Sequence, residues 1–467
     1  MNAHHQATNT AAWDDDSWAD LFARDPGAEY LAGAADGYAA ARDEALSPRP
    51  GRLPTLPDDF WQTRPALAHI RQAARARIAS PDAVLLCALA RIASIAPHTA
   101  DAGIGPFGTP IYAAVVAPSG VGKSKAHTTA ADLIELPQWA NNPDHYREAG
   151  IGSGEGLAEL FMGTVTDEDE NGKKKPRRAQ VRHHALVVVD EGEKLTKLAE
   201  RSGSTVGSAL RAAWTGARLG EAGAAQETQR NIPARTYSLG VVLAYQLETA
   251  GPLLADADAG TPQRIVWASA RDPHARTGVT WPGPLTIDAT WQRHTPITYP
   301  DSVTRWVQDD QIARQQDTYT ADPLDAHEPL QRLKLAAALA LLGGRTTVNE
   351  EDWRLAATIW RTSCHVRNAV ITHGRNVAAW KQQRADDHKR DQAVRIAADT
   401  SDIGADIARV AARLASIVDT HGRISRSDAR RKLRHEQRPL FDKALAVAVA
   451  NHGVHVGETH LSGAHAA

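Results

Sequence analysis

The chain has 467 residues, 42% apolar and 23% charged, the balance of a globular protein, which excludes a wholly disordered chain. Lys and Arg total 53 against 55 Asp and Glu, a net charge of -2, so a uniformly basic nucleic-acid coat is excluded while a local basic patch is not. Only two cysteines, Cys87 and Cys364, are present, which excludes a disulfide framework or a cysteine-rich zinc site. No run of about 18 apolar residues and no basic-then-apolar leader occurs, so a soluble cytoplasmic protein with no membrane partner is expected.

Residues 1–58 read as an acidic arm and linker. The first 50 residues carry nine acids against Arg24, Arg42 and Arg49, and four prolines punctuate residues 47–59. A helical lead-in is expected over 59–110. Leu67, Ile70, Ala74 and Ile78 recur at helical spacing, and Ser80-Pro81 caps a second, nearly all-apolar helix to Ile95. The core is expected over 111–290. Four apolar runs read as strands: 111–118, 184–191, 235–246 and 264–270. Helical stretches lie between them, including 154–162 and 206–214. This alternation predicts a mostly parallel sheet covered on both faces.

Residues 166–182 read as an inserted hairpin, with Asn171-Gly172 at its tip between acids and a basic run. It is either a solvated surface hairpin or a DNA-tracking loop. A helical region, 291–400, is expected to contain helices at 301–317, 325–342 and 350–398. Asn349 caps the last, and a break is expected near Thr372-His373-Gly374. Residues 401–467 have the outline of a winged helix-turn-helix: three helices and a small hairpin.

The segment Ala117-Pro-Ser-Gly-Val-Gly-Lys-Ser124 matches a phosphate-binding loop, with Ala in place of its first Gly. Gly120 and Gly122 let the backbone curl so that N–H groups face phosphates, and the following helix adds its positive end. Ser119, Gly120, Val121, Gly122, Lys123, Ser124 and Lys125 are therefore the expected nucleotide contacts. Lys123 is expected to reach the β and γ phosphates of ATP, and Ser124 to ligate Mg²⁺. A second run, Leu186-Val-Val-Val-Asp190-Glu191, lies 67 residues beyond Lys123. Asp190 suits the Mg²⁺ shell and Glu191 the polarisation of a water nucleophile. Gln246 closes the next strand, where RecA-like motors carry a γ-phosphate sensor. Its alternative is a plain strand-end polar residue. Arg264 opens the fourth strand and is a candidate trans-acting arginine, with Arg201 and Arg271 as rivals and an internal ion pair as the alternative.

These residues resemble a family of P-loop ATPases encoded by phages and integrative elements of high-GC bacteria, often beside or fused to primase-polymerase modules. The resemblance runs from about Phe60 to Arg367. It rests on FWQTRPALAHIRQAARAR (60–77), APSGVGKS (117–124), GSGEGLAELFMG (152–163), VVVDEGEKL (187–195), RSGSTVGSALRAAW (201–214), GTPQRIVWASARDP (260–273) and RLKLAAALALLGG (332–344). It implies an α/β, RecA-like P-loop core with helical extensions, ATP hydrolysis and a role in replicating a mobile element. The fused primase module is missing, so a separate primase-polymerase becomes a candidate partner. The charged hairpin is longer than the pattern leads one to expect.

Residues 421–445 hold eight basic against three acidic side chains. Arg426, Arg430, Arg431, Lys432, Arg434 and Arg438 suit phosphate contact, with protein contact as the alternative. The histidines of this end show no metal-ligand spacing, and the twelve tryptophans read as packing rather than base-stacking platforms. The leading expectation is an ATP-driven nucleic-acid motor, a replicative helicase or helicase loader acting on single-stranded or duplex DNA. It forms a hexamer if Arg264 acts in trans. A regulatory or defence ATPase using ATP as an assembly switch, and an origin-binding initiator, are the alternatives.

Overall fold

The structure, a computed structural model, describes residues 51–168, 174–220, 230–255, 260–457 and 459–463; of residues 175, 255 and 391–402 it describes the backbone alone. The acidic arm and the Asn171-Gly172 tip lie outside the described residues. The chain divides into two compact units at Val377.

The first unit is an α/β layer structure. Helices α1 (Pro65–Ala76) and α2 (Pro81–Ala93) precede strand β1 (Ile111–Val116), and helix α3 (Lys123–Leu133) follows it. Strand β2 (Tyr146–Ala149), helix α4 (Gly154–Glu159) and the antiparallel pair β3 (Met162–Glu168) and β4 (Lys174–Gln180) come next. Then come β5 (His184–Val189), α5 (Gly192–Ala199), α6 (Val206–Thr215), β6 (Ser238–Tyr245) and β7 (Ile265–Ser269). Strands β7-β1-β6-β5-β2 form one five-stranded, wholly parallel sheet in that order.

Alternation along the strands sends side chains to two separate apolar layers. Ile111, Ala113 and Val115 pack with α2, α3 and a later helix over Glu328–Leu342. Tyr112, Ala114 and Val116 face α4 and α6, joined by Val366 and Val370. Both faces are covered, as a parallel sheet requires. In α2 every residue except Arg91 is buried, and full burial of each large apolar side chain contributes about 1.5–3 kcal/mol. The helix lies directly on β6: a Cβ at Gly240 would come within 2.0 Å of the Ala90 carbonyl oxygen, so only glycine fits there. Ser80 caps α2 as expected, accepting from the Ala83 N–H at 3.4 Å and donating to the Ser269 carbonyl at 2.7 Å.

Three expectations need correction. Strand β2 was not foreseen, because Tyr-Arg-Glu-Ala has no apolar run and forms an edge with one buried residue. Residues 51–57 are not a free linker: Leu53 and Leu56 are buried, and the Leu56 N–H donates to Asp82 at 2.7 Å. The break near Gly374 does not occur. After α7 (Asp301–Gln315) and α8 (Glu328–Leu342), α9 runs without interruption from Glu350 to His421. Thr372 donates to Asn368 O one turn back at 2.9 Å, and no proline interrupts the segment. A helical glycine costs only about 1 kcal/mol, too little to end a helix by itself. Asn349 does cap α9: it accepts from the Asp352 N–H at 2.9 Å while its own N–H donates back to Asp352 at 2.8 Å.

In the second unit, Val410, Leu414 and Val418 of α9 pack with α10 (Arg426–Lys432) and α11 (Phe441–Asn451). Ser425 caps α10, accepting from Asp428 N–H at 3.1 Å. Strands β8 (Arg423–Ser425), β9 (His455–Val456) and β10 (His460–Ser462) form an antiparallel sheet in the order β8-β10-β9. Between α10 and α11 the chain does not run on as α-helix. Residues 435–440 instead form a tighter 3₁₀ turn, with Pro439 supplying no N–H before α11 begins. Among the described residues no helix is long and apolar enough to cross a membrane.

Candidate functional site

The carboxyl ends of β1, β6 and β5 lie side by side. The register pairs Val116 with Tyr245 and Val189 with Leu243. The loop after β1 therefore begins beside Gln246, and Asp190-Glu191 emerges two strands away, on the order of 10 Å at ordinary strand spacing. The connection after β1 enters the layer of α3, whereas that after β6, Ala250–Leu254, enters the opposite layer. Adjacent parallel strands with diverging connections open a crevice at their carboxyl ends, the usual ligand position in such sheets.

The backbone of the loop leaves room and N–H groups that could meet an anion. Gly120 and Gly122 have φ of +77° and +90°, and nothing lies within 4 Å of a Cβ added at Gly120. Gly122 is the residue before α3, and no side chain caps that helix, so its first N–H groups remain available to a ligand. Ser119, Gly120, Ser124 and Lys125 are exposed, and Val121, Gly122 and Lys123 are half-buried. Lys123 Nζ folds back on the loop, donating to the carbonyls of Ala117 and Pro118 at 3.3 and 3.2 Å. Desolvation lowers its pKa, and the carboxylate of Glu248 opposes that shift. Glu248 was not foreseen. It stands two residues beyond Gln246 and also approaches His373 Nε2 at 3.5 Å.

Asp190, Glu191 and Gln246 are all exposed. Glu191 is ion-paired with Lys194 Nζ at 2.8 Å, and that hydrogen bond holds its carboxyl below the usual range. Action of Glu191 as a base requires this pair to open. Ser124 and Asp190 offer two oxygen donors. Among the described residues no group of three or more His, Cys, Asp or Glu is arranged around a metal. Mg²⁺ needs no such group, since one or two protein oxygens complete a shell of waters and phosphate oxygens. The residues present fit ATP with Mg²⁺.

Beside the loop opens a cavity of about 460 Å³ lined by Leu53, Ile78, Ala79, Val121, Arg271 and Pro273, among others. Leu53 and Ile78 come from segments far from the motif, so the motif alone did not reveal it. Arg271 is exposed here, on the loop's edge of the sheet.

Arg264 lies elsewhere. It precedes β7, at the amino edge, and within its own chain it is not brought to the phosphate loop. Its guanidinium is half-buried over the Trp214 ring at 5.4 Å, its Nη1 donates to Gly260 O, and its Nε has no partner. Arg201 is exposed just beyond α5.

In the second unit Arg426, Arg430, Arg431 and Lys432 lie on α10, and Arg434 and Arg438 on the turn after it. Arg431 pairs with Asp428, and Arg426 lies 3.7 Å from Asp442. Arg438 donates to Arg431 O at 2.8 Å. The basic charge thus sits ahead of the third helix. That helix exposes Ala446, Val449 and Ala450. The 162–180 hairpin is also less basic than its sequence: Arg177 pairs with Asp167 at 2.6 Å and Arg178 with Glu159.

A scan against protein-family models returns no match, and neither does a search of curated proteins.

Proposed function

We propose that the chain is an ATP-hydrolysing nucleic-acid motor with a RecA-like core and a terminal winged helix-turn-helix, a replicative helicase or helicase loader of a mobile element. One observation carries the reading: the uncapped glycine loop, Gln246 and Asp190-Glu191 follow the carboxyl ends of three adjacent strands of a parallel sheet. There the loop N–H groups and Lys123 hold the phosphates, Ser124 and Asp190 hold Mg²⁺, and the cavity beside Val121 takes the nucleoside. Bound Mg²⁺ would neutralise charge on the phosphate oxygens. Glu191, released from Lys194, orients the attacking water, and Gln246 reports the state of the γ-phosphate. Arg264 serves a neighbouring subunit of a homo-oligomer, expected to be a hexamer, after swinging out from Trp214. The basic residues of α10 and its turn contact DNA phosphates.

The test is ATP turnover with and without single-stranded and duplex DNA. Stimulation of several-fold is expected. Turnover indifferent to both, with no salt-dependent DNA binding, sinks the motor reading. A second reading, an ATP-driven assembly switch whose terminal unit binds protein, is favoured by the exposed apolar residues Ala446, Val449 and Ala450 on the later turns of α11. It predicts a nucleotide-dependent change in oligomer size without DNA stimulation.

A further inference from the structure

A second cavity, of about 530 Å³, lies at the amino edge of the sheet and belongs to none of the machinery above. Its walls include Trp139, Trp291, His145, His183, His184 and Arg293. This volume suits a small-molecule or single-nucleotide ligand. Trp139 is 36% exposed, and its ring lies 4.7 Å from that of His184. Trp291 is held in place by donation from Nε1 to Ile95 O at 3.1 Å. Arg293 is exposed; its Nε donates to His294 Nε2 at 3.0 Å, and among the described residues no carboxylate pairs with it.

The deeper wall holds unused polar atoms. His184 is 8% exposed, and its Nδ1 has no partner. Behind it His98 contacts the rings of both His183 and His184 at about 5.5 Å, and neither of its nitrogens is partnered. Burial pushes His184 down to about 3 and His98 to about 2, so both rings are neutral at neutral pH. The His184 ring already donates to the Ser94 backbone, so its free Nδ1 remains as an acceptor that a nucleobase amino or imino group can meet. Unpartnered buried polar atoms are rare in native proteins and call for a function or a ligand.

We propose that this cavity binds a nucleobase with its phosphate, the base stacking on the indoles and the phosphate meeting Arg293. Aromatic platforms beside a guanidinium are how single-stranded nucleic acid is held without sequence preference. The source is either a strand of nucleic acid or a free nucleotide. The site goes beyond the ATPase reading and does not use Lys123.

The test uses the full chain without ATP, in a Lys123→Ala background that removes binding at the loop. Labelled oligodeoxythymidine is followed by anisotropy and thymidine monophosphate by calorimetry. Trp139→Ala and Arg293→Ala, both at exposed positions, should each weaken binding about tenfold, while Trp139→Phe retains it. Loss for the oligomer alone identifies a strand, and loss for the mononucleotide alone a free nucleotide. No binding of either ligand, or equal binding by all variants with unchanged thermal unfolding, overturns the proposal.

Discussion

The two edges of the parallel sheet differ in kind. At the carboxyl edge the polar groups are exposed or, for Lys123, half-buried, sit at or just beyond strand ends and come from contiguous motifs. At the amino edge they are packed together: His98, His184, Lys334 and Arg264 sit among Trp139, Trp214 and Trp291. Lys334 is fully enclosed, its Nζ donating to Pro110 O at 3.2 Å and lying 3.7 Å from the Trp214 ring. Burial pushes this lysine well down, reinforced by the nearby Arg264. One edge is open chemistry on a scaffold, and the other is chemistry bound into the scaffold. Substitutions at the first should change activity at constant stability, and those at the second should change both.

Glu191→Gln gives the largest expected separation. Turnover should fall roughly 10²–10⁴-fold with nucleotide affinity retained, because a general base acts in the transition state. Turnover and nucleotide titration on the same preparation check it, and an equal loss of affinity would break the assignment. Lys123→Ala should lower both, roughly 100-fold in turnover, if the lysine works as the phosphate clamp described for such loops. Unfolding should stay where it is, because its present partners are two loop carbonyls.

Arg264→Ala probes the other edge. A trans-acting arginine predicts at least a roughly tenfold fall in turnover, and mixing with Glu191→Gln subunits should then inhibit more than in proportion. If the residue only packs on Trp214, the unfolding midpoint drops and turnover per folded chain is unchanged.

The smallest effect lies in pH. Burial pushes Asp82, at the start of α2, up to about 7. Its folded pKa lies above the unfolded value near 4. Its favourable contribution is therefore complete below pH 4 and lost as pH rises through 7. His98 and His184 work in the opposite sense. Their folded values lie below 6.5, so their contribution is complete above pH 6.5 and is lost as pH falls toward 3 and 2. Asp82→Asn should thus stabilise the protein at pH 8 more than at pH 5, measured as urea midpoints. Equal shifts at both values would show that Asp82 is not buried as described.

The carboxyl edge was legible because its residues are neighbours in the chain: Ala117 to Ser124 form one loop, and Leu186 to Glu191 are one strand and its exit. Apolar runs likewise marked four strands of the sheet and the two-sided burial it required. Edge strand β2 was not legible, since a strand hydrogen-bonded on one side needs no apolar run. The uninterrupted α9 was not legible either, since one glycine weighs too little against many helical neighbours.

The sequence by itself determined the glycine loop after β1, the strand-end acids and the alternation that makes a parallel sheet, because each depends on local spacing and backbone conformation. Only the tertiary structure decided that Gln246 stands beside the loop and that Arg264 faces the opposite edge. Only it gathered Trp139, His184, Trp291 and Arg293 around one cavity. Those relations depend on strand order and on which layer each connection enters, and they join residues more than a hundred positions apart.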